Sequence, residues 1–276
     1  MSRVKSTELR WRTGLRSVYA AARGVFRNVL FLFAAHPKTA LRVMCIMALD
    51  TLHIQRQGQP LSRGTRQRLA ALLDYGASMN AKLDGKTAWS PEPAAMRSEQ
   101  ETGDAQTWMA DYTRRLATLE SARPQPGGDA TNFAAVRTYR ESVVRLSLAM
   151  LATAGGISNS FEEAIHSIGT DPDFDSLFRV VMLCQIIDDV LDYAIDQPVN
   201  LPSFATACRQ LPHALGLTRS AACHYARVPG GTVRAMPFRG AIWTTYACAR
   251  ATILLRLVLG APTVMEKESG RLLRAR

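Results

Sequence analysis

A chain of 276 residues with 47% hydrophobic and 21% charged residues can build one large core and is too apolar for a disordered polypeptide. Its formal net charge of +11 points to an anionic partner, which could be nucleic acid, acidic lipid or a small polyanion such as diphosphate. The five scattered cysteines, Cys45, Cys184, Cys208, Cys223 and Cys248, are odd in number and form no Cys-x-x-Cys pair, which indicates neither a disulfide framework nor a structural zinc site and fits a reducing, cytoplasmic compartment.

Apolar positions recur at helical spacing along the chain and alternating runs of strand length are missing, so the sequence predicts an all-α fold. A first helix is expected at about 7–34, where Arg10, Arg12, Arg16, Arg23 and Arg27 interleave with Trp11, Leu15, Val18, Tyr19 and Phe26. Residues 1–35 therefore read as a basic amphipathic helix, either packed on the domain or in peripheral contact with an acidic membrane. No secretory signal is evident, because the apolar stretch at 29–35 sits behind a long basic segment and is cut at His36-Pro37-Lys38.

The Pro37 break starts a second helix through Leu41, Met44, Ile46, Leu49 and Leu52, and the turn Gln57-Gly58-Gln59-Pro60-Leu61-Ser62 separates it from a third at about 66–83. A fourth carries Trp108, Met109, Tyr112, Leu116 and Leu119 on one side. Arg123-Pro124-Gln125-Pro126-Gly127-Gly128-Asp129 cannot continue a helix, and because neither side of it reads as self-sufficient it is taken as a surface loop within one domain spanning 1–276. Helices follow at about 133–153, 160–168, 174–195, 203–211 with Pro212 as its stop, 220–226 and 241–259. The last is nearly long enough to span a bilayer, but Arg250 and Arg256 lie inside it, so it is expected to be a buried core helix.

The run Gln185-Ile186-Ile187-Asp188-Asp189-Val190-Leu191-Asp192-Tyr193-Ala194-Ile195-Asp196 carries the chemistry. Asp188, Asp192 and Asp196 fall at i, i+4 and i+8, in a line along one helix face, with Asp189 beside the first. Val180, Val181, Leu183, Ile186, Ile187, Val190 and Leu191 make the rest of that helix apolar, so like charges crowd on an otherwise buried element. A hard divalent cation relieves that repulsion, and magnesium takes one or two carboxylates while bridging to phosphate oxygens. Spacing alone leaves a second reading open, an acidic surface stripe.

Residues 184–196 resemble the second aspartate-rich motif of the trans-prenyl diphosphate synthases, FQ-x-x-DD-x-x-D-x-x-x-D, with Cys184 in place of the Phe and the other positions matched. Val199-Asn200-Leu201-Pro202-Ser203-Phe204-Ala205-Thr206-Ala207 is similar to the segment that begins the next helix in that family. Residues 139–155 resemble its helix with a diphosphate-contacting Lys-Thr pair, Arg145 falling near the lysine. Residues 72–84 resemble the helix ending in its first DDxxD motif, with Asn80 at the first aspartate position, Ala81 at the second and Asp84 at the third.

The resemblance implies a single-domain bundle of the class I isoprenoid synthase type around a central apolar cavity. It also implies Mg2+ held by Asp188, Asp192, Asp196, Asn80 and Asp84, and catalysis at Asp188, Asp189 and Asp192. Arg145, Gln185, Lys86 and Tyr75 are the residues expected to contact a prenyl diphosphate, with Tyr75, about one and a half turns deeper than Asn80, limiting its length. Asp74 and Asp50 are weaker candidates on helices that should also line the bundle. The arginine pair that holds isopentenyl diphosphate in elongating members has no counterpart in Gly85-Lys86-Thr87-Ala88-Trp89, and Lys38 and Arg42 match their Gly-Lys-Arg segment only loosely.

This favours a terpene synthase, which ionises one prenyl diphosphate of C10 to C20, over a prenyltransferase that condenses two isoprenoid units. The eroded first motif keeps a third reading open, a catalytically silent helical regulatory or membrane-associated protein. A nucleic-acid partner is not expected, and related folds are often homodimers.

Overall fold

The computed structural model describes residues 37–83, 102–227 and 236–260. The basic helix expected over 1–35 lies outside these, as do Asp84 and Lys86. The described residues form helices α1 (Pro37–Gln57), α2 (Arg63–Leu83), α3 (Thr102–Ser121), α4 (Ala130–Ala154), α5 (Phe161–Thr170), α6 (Pro172–Leu191), the short α7 (Tyr193–Asp196), α8 (Leu211–Ala226) and α9 (Met236–Leu259). Among them there is no strand, only an isolated bridge between Gly128 and Cys208.

Side chains set the helix starts. Asp129 accepts the Thr131 and Asn132 N–H groups at the head of α4, Ser160 accepts that of Glu163 at α5, and Asp171 accepts those of Asp173 and Phe174 at α6. Each such cap is worth about 1 kcal/mol. Asp171 also receives Arg56 Nη2 at 2.6 Å, and the Arg56 guanidinium lies 4.6 Å from the centre of the Phe174 ring. The end of α1 is thereby fixed against the start of α6, so the two helices run antiparallel.

Two expected elements differ. Of the helix expected at 203–211, residues 203–210 form turns instead, because Ser203 and Thr206 bond each other's backbone: Ser203 N–H donates to Thr206 Oγ1 at 2.8 Å and Thr206 N–H to Ser203 Oγ at 3.2 Å. Pro212 opens α8 instead of stopping a helix, since a proline in the first turn loses a donor that would have no partner there, and α8 then runs unbroken through the gap expected before Ser220. The linker before α4 is stitched to these turns, Gly127 and Gly128 N–H donating to Thr206 and Ala207 carbonyls at 2.9 and 3.0 Å. A Cβ on Gly128 would lie 2.3 Å from Asn132 Cβ, so the close approach requires glycine.

The expectation of a buried core helix near the C-terminus is corrected. In α9 only a stripe is buried, Phe238, Ile242, Thr245, Ala249 and Ile253, while Trp243, Leu254, Leu255, Leu257, Val258 and Leu259 are exposed. Phe238–Leu259 is long and apolar enough to cross a membrane, and 22% of its apolar window is buried. Its Arg256, however, donates to the Val190 and Leu191 carbonyls at 3.2 and 3.0 Å, supplying donors to the last turn of α6.

Candidate functional site

The antiparallel packing gives the bundle two unlike ends. At one, Arg56 closes α1 against α6. At the other, the start of α1, the second half of α2, Tyr112 of α3, the middle and second half of α4 and the second half of α6 surround a cavity of about 540 Å³, in the range of small-molecule sites. Its inner walls include Leu72, Val144, Met150, Leu151 and Val180, all buried. Its outer rim carries Arg42, Asp74, Arg140, Asp188 and Asp192, and buried Asp196 also lines it. Arg42 and Asp74 pair there at 2.7 Å with side chains 38% and 45% exposed, so the polar end is the one that faces water.

Asp189 is the most deeply held carboxylate of the run. Arg140 grips it with a two-pronged contact, Nη2 to Oδ1 at 3.0 Å and Nε to Oδ2 at 3.2 Å; Gln185 Nε2 donates to Oδ1 at 2.7 Å and the Phe204 N–H to Oδ2 at 2.8 Å. These four donors fill the usual accepting capacity of a carboxylate. Burial pushes its pKa up to about 6, opposed first by Arg140 and then by the Phe204 N–H. Asp189 thus positions α4, α6 and the loop carrying Leu201 and Pro202, both on the cavity wall.

Asp188, Asp192 and Asp196 all reach the cavity, though not along one unbroken helix face as the spacing predicts. The helix ends at Leu191, Asp192 sits past its end with φ −82° and ψ 3°, and buried Asp196 closes the separate turn α7. The last turn of a helix already carries partial negative charge, so carboxylates here add to an unfavourable field. Arg256 offsets part of it from outside.

Among the described residues no group of three or more His, Cys, Asp and Glu side chains gathers as a metal cage. Magnesium seldom uses an all-protein cage, and one or two carboxylates plus phosphate oxygens are its usual partners. Asp188 and Asp192 at a water-facing rim fit an ion that arrives with a diphosphate.

Arg145, Tyr75 and Asp50 are not brought to this cavity. Arg145 points away, donating to the Ile168 carbonyl at 3.2 Å and lying 4.3 Å from the centre of the Phe178 ring. Tyr75 bonds Thr113 on α3 at 2.8 Å and is not among the lining residues. Asp50 is buried and accepts the Leu61 N–H at 2.7 Å, holding the turn between α1 and α2. Asn80 lies in the last turn of α2, one turn beyond the lining residues Gly76 and Ala77, and its side chain is outside the described set. Gln185 and Asp74 do line the cavity.

Arg140, Tyr139 and Arg42, which sequence reasoning did not assign to the site, line the cavity, whereas Arg145 and Tyr75 do not; Lys86 lies outside the described residues. The signal lay in α4: Tyr139, Arg140, Val143, Val144, Ser147, Met150 and Leu151 share one helical stripe, and Arg145 falls about 140° round from Arg140. Cys184, at the Phe position of the motif, also lines the cavity, with its thiol pKa raised by burial; Cys45 opposite is pushed up to about 12 for the same reason. Such thiols are packing groups rather than nucleophiles.

Comparison with known proteins gives no further constraint: no protein family, no curated protein and no solved structure matches this chain.

Proposed function

We propose that this chain is a magnesium-dependent class I isoprenoid enzyme, a terpene synthase that ionises an allylic prenyl diphosphate of C10 to C20, releases diphosphate, and lets the cation cyclise or be quenched. The observation that carries this reading is the polarity of one cavity, with Asp188, Asp192 and two arginines at its rim and Leu72, Met150, Leu151 and Val180 within. An amphiphile with a charged head and a long apolar tail matches that division.

Bound with the diphosphate, magnesium would supply positive charge to the departing group and so favour breaking the C–O bond. Asp188 and Asp192 are the residues to hold it, with Asp196 behind them. Arg140 adds positive charge at the rim while fixing Asp189, and Arg42 stands across from it on α1. The apolar walls would keep water from the cation, and Tyr112 is an aromatic side chain among the lining residues.

Arg42 at the same rim favours a second reading, in which two isoprenoid diphosphates are coupled. Incubating the purified chain with geranyl, farnesyl and geranylgeranyl diphosphate, with and without isopentenyl diphosphate, separates the two. Hydrocarbon or alcohol from one substrate supports the synthase, and longer diphosphates support the transferase. A silent helical protein would release no diphosphate from any of them with magnesium present.

A further inference from the structure

Helix α9 packs on α6 and α8 and buries Phe238, Ile242, Thr245, Ala249 and Ile253. At about 100° per residue, the side of the helix opposite that stripe carries Trp243, Ala247, Ala251, Leu254, Leu255 and Val258. Trp243 is 75% exposed, Leu254 50%, Leu255 55% and Val258 84%, and both alanines are exposed between them. No charged side chain interrupts this face. Arg250 lies on its flank, with Nη1 donating to Tyr246 Oη at 3.0 Å, and Arg256 turns inward to the Val190 and Leu191 carbonyls.

The face matches itself. A two-fold axis level with Ala249 turns one copy of α9 antiparallel to another and brings together positions equally far from that residue. Ala247 then stands level with the partner's Ala251, Leu254 with the partner's Thr244, Val258 with the partner's Gly240, and Trp243 with the partner's Leu255. Small residues at the middle let the two helices approach closely, and Leu254 and Val258 each meet a smaller residue. A lipid surface would be indifferent to this alternation of large and small positions, whereas a second copy uses it.

The area is sufficient for a pair. At about 200 Å² for a whole large apolar side chain, the exposed parts of Trp243, Leu254, Leu255 and Val258 come to about 500 Å² per copy and about 1,000 Å² in a pair, the size at which protein interfaces become specific.

We propose that the outer face of α9 is the contact between two copies of this chain, paired antiparallel about that two-fold axis. The pairing does not rest on the chemistry assigned to the cavity. It sends the cavity ends of the two bundles in opposite directions, because α9 finishes beside the end of α6, and so leaves each mouth open.

Sedimentation equilibrium of the full chain from about 1 to about 100 μM tests this, the expected result being a monomer–dimer equilibrium with a micromolar dissociation constant. Because each copy carries a formal charge of +11, added salt should tighten the dimer. Ala251→Glu, at an exposed helical position, places two carboxylates in the apolar contact and should raise the dissociation constant by about a hundredfold or more with the circular dichroism unchanged. Ala247→Glu should do the same, and Arg239→Gln, on the flank, should leave the dimer intact. In a mixture of Ala247→Cys and Ala251→Cys chains, a short bismaleimide should couple the two substituted positions, as read by peptide mass.

A monomer throughout that concentration range would overturn the proposal, as would a dimer that neither Ala251→Glu nor Ala247→Glu weakens. Monomers that bind lipid vesicles through this face would assign it to a membrane. An Ala251→Cys thiol that a water-soluble maleimide cannot reach in the monomer would assign it to another segment of the same chain. Either result removes the pairing.

Discussion

Arg140 on α4 and Asp189 on α6 hold each other across the cavity mouth, 3.0 Å apart, with side chains only 14% and 2% exposed. Removing one member of a buried, hydrogen-bonded pair leaves the other charge in the interior, at a cost of about 3 to 5 kcal/mol. Asp189→Ala would also orphan the Phe204 N–H and free the loop at 201–204. Urea denaturation should therefore find this variant less stable by about 3 kcal/mol or more, and Asp189→Asn, which can still accept from Phe204, less affected.

The same carboxylate sets a pH dependence. Its folded pKa is about 6 against an ordinary value of 3.8, so between these the folded chain holds a proton that the unfolded chain has released. The contribution of Asp189 to stability is then fullest below the ordinary value, declines as pH rises through about 6, and is flat above. Asp129 and Asp111, whose pKa values are lowered, slope the opposite way. The difference between the unaltered chain and Asp189→Asn cancels them. That difference in denaturation midpoint should narrow as pH rises from about 4 to 6.

Asp188 and Asp192 carry the load if an ion bridges the rim to a diphosphate. Asp188→Ala and Asp192→Ala should each lower magnesium-dependent diphosphate release by about 10²- to 10³-fold, the scale of losing one group that stabilises charge in a transition state. Both residues are only half-buried, so circular dichroism and the thermal midpoint should stay close to those of the unaltered chain. Turnover that survives either change would remove these carboxylates from the site.

What the sequence made legible depended on whether the deciding interaction was local. Helical periodicity and the acidic run are local patterns, and they led to described residues whose regular elements are all helical, with Asp188, Asp192 and Asp196 at a cavity. The end of α6 at Leu191 was hidden, because Arg256, sixty-five residues on, is what supplies donors to its carbonyls. The turn at Ser203–Thr206 was open to reading, since both side chains favour local backbone bonds, but apolar spacing hid it. In α9 periodicity identifies the buried stripe, and only the packing of α6 and α8 on one side shows that the other side is left bare.

Arg145 and Arg140 separate resemblance from geometry. Arg145 supports the end of α5 through the Ile168 carbonyl and stacks on Phe178, so Arg145→Ala should cost about 1 to 2 kcal/mol of stability and leave diphosphate release unchanged. Arg140→Ala should lower both. A tenfold or larger fall in kcat/KM for Arg145→Ala, with stability intact, would return the phosphate-contacting role to that position.

Ser147 tests where the apolar tail lies. Its hydroxyl, on the cavity wall, donates to the Val143 carbonyl at 3.0 Å and sits 3.4 Å from that of Tyr112. Ser147→Phe would put a ring into a cavity of about 540 Å³ without removing a rim residue, shortening the space for a tail rather than the grip on its head. Discrimination by a few methylenes in an apolar pocket is worth about 10- to 200-fold. The ratio of kcat/KM for geranyl over geranylgeranyl diphosphate should therefore rise by about tenfold or more in Ser147→Phe. An unchanged ratio would mean that the tail is held elsewhere, because a substrate confined by these walls cannot be indifferent to a phenyl group placed among them.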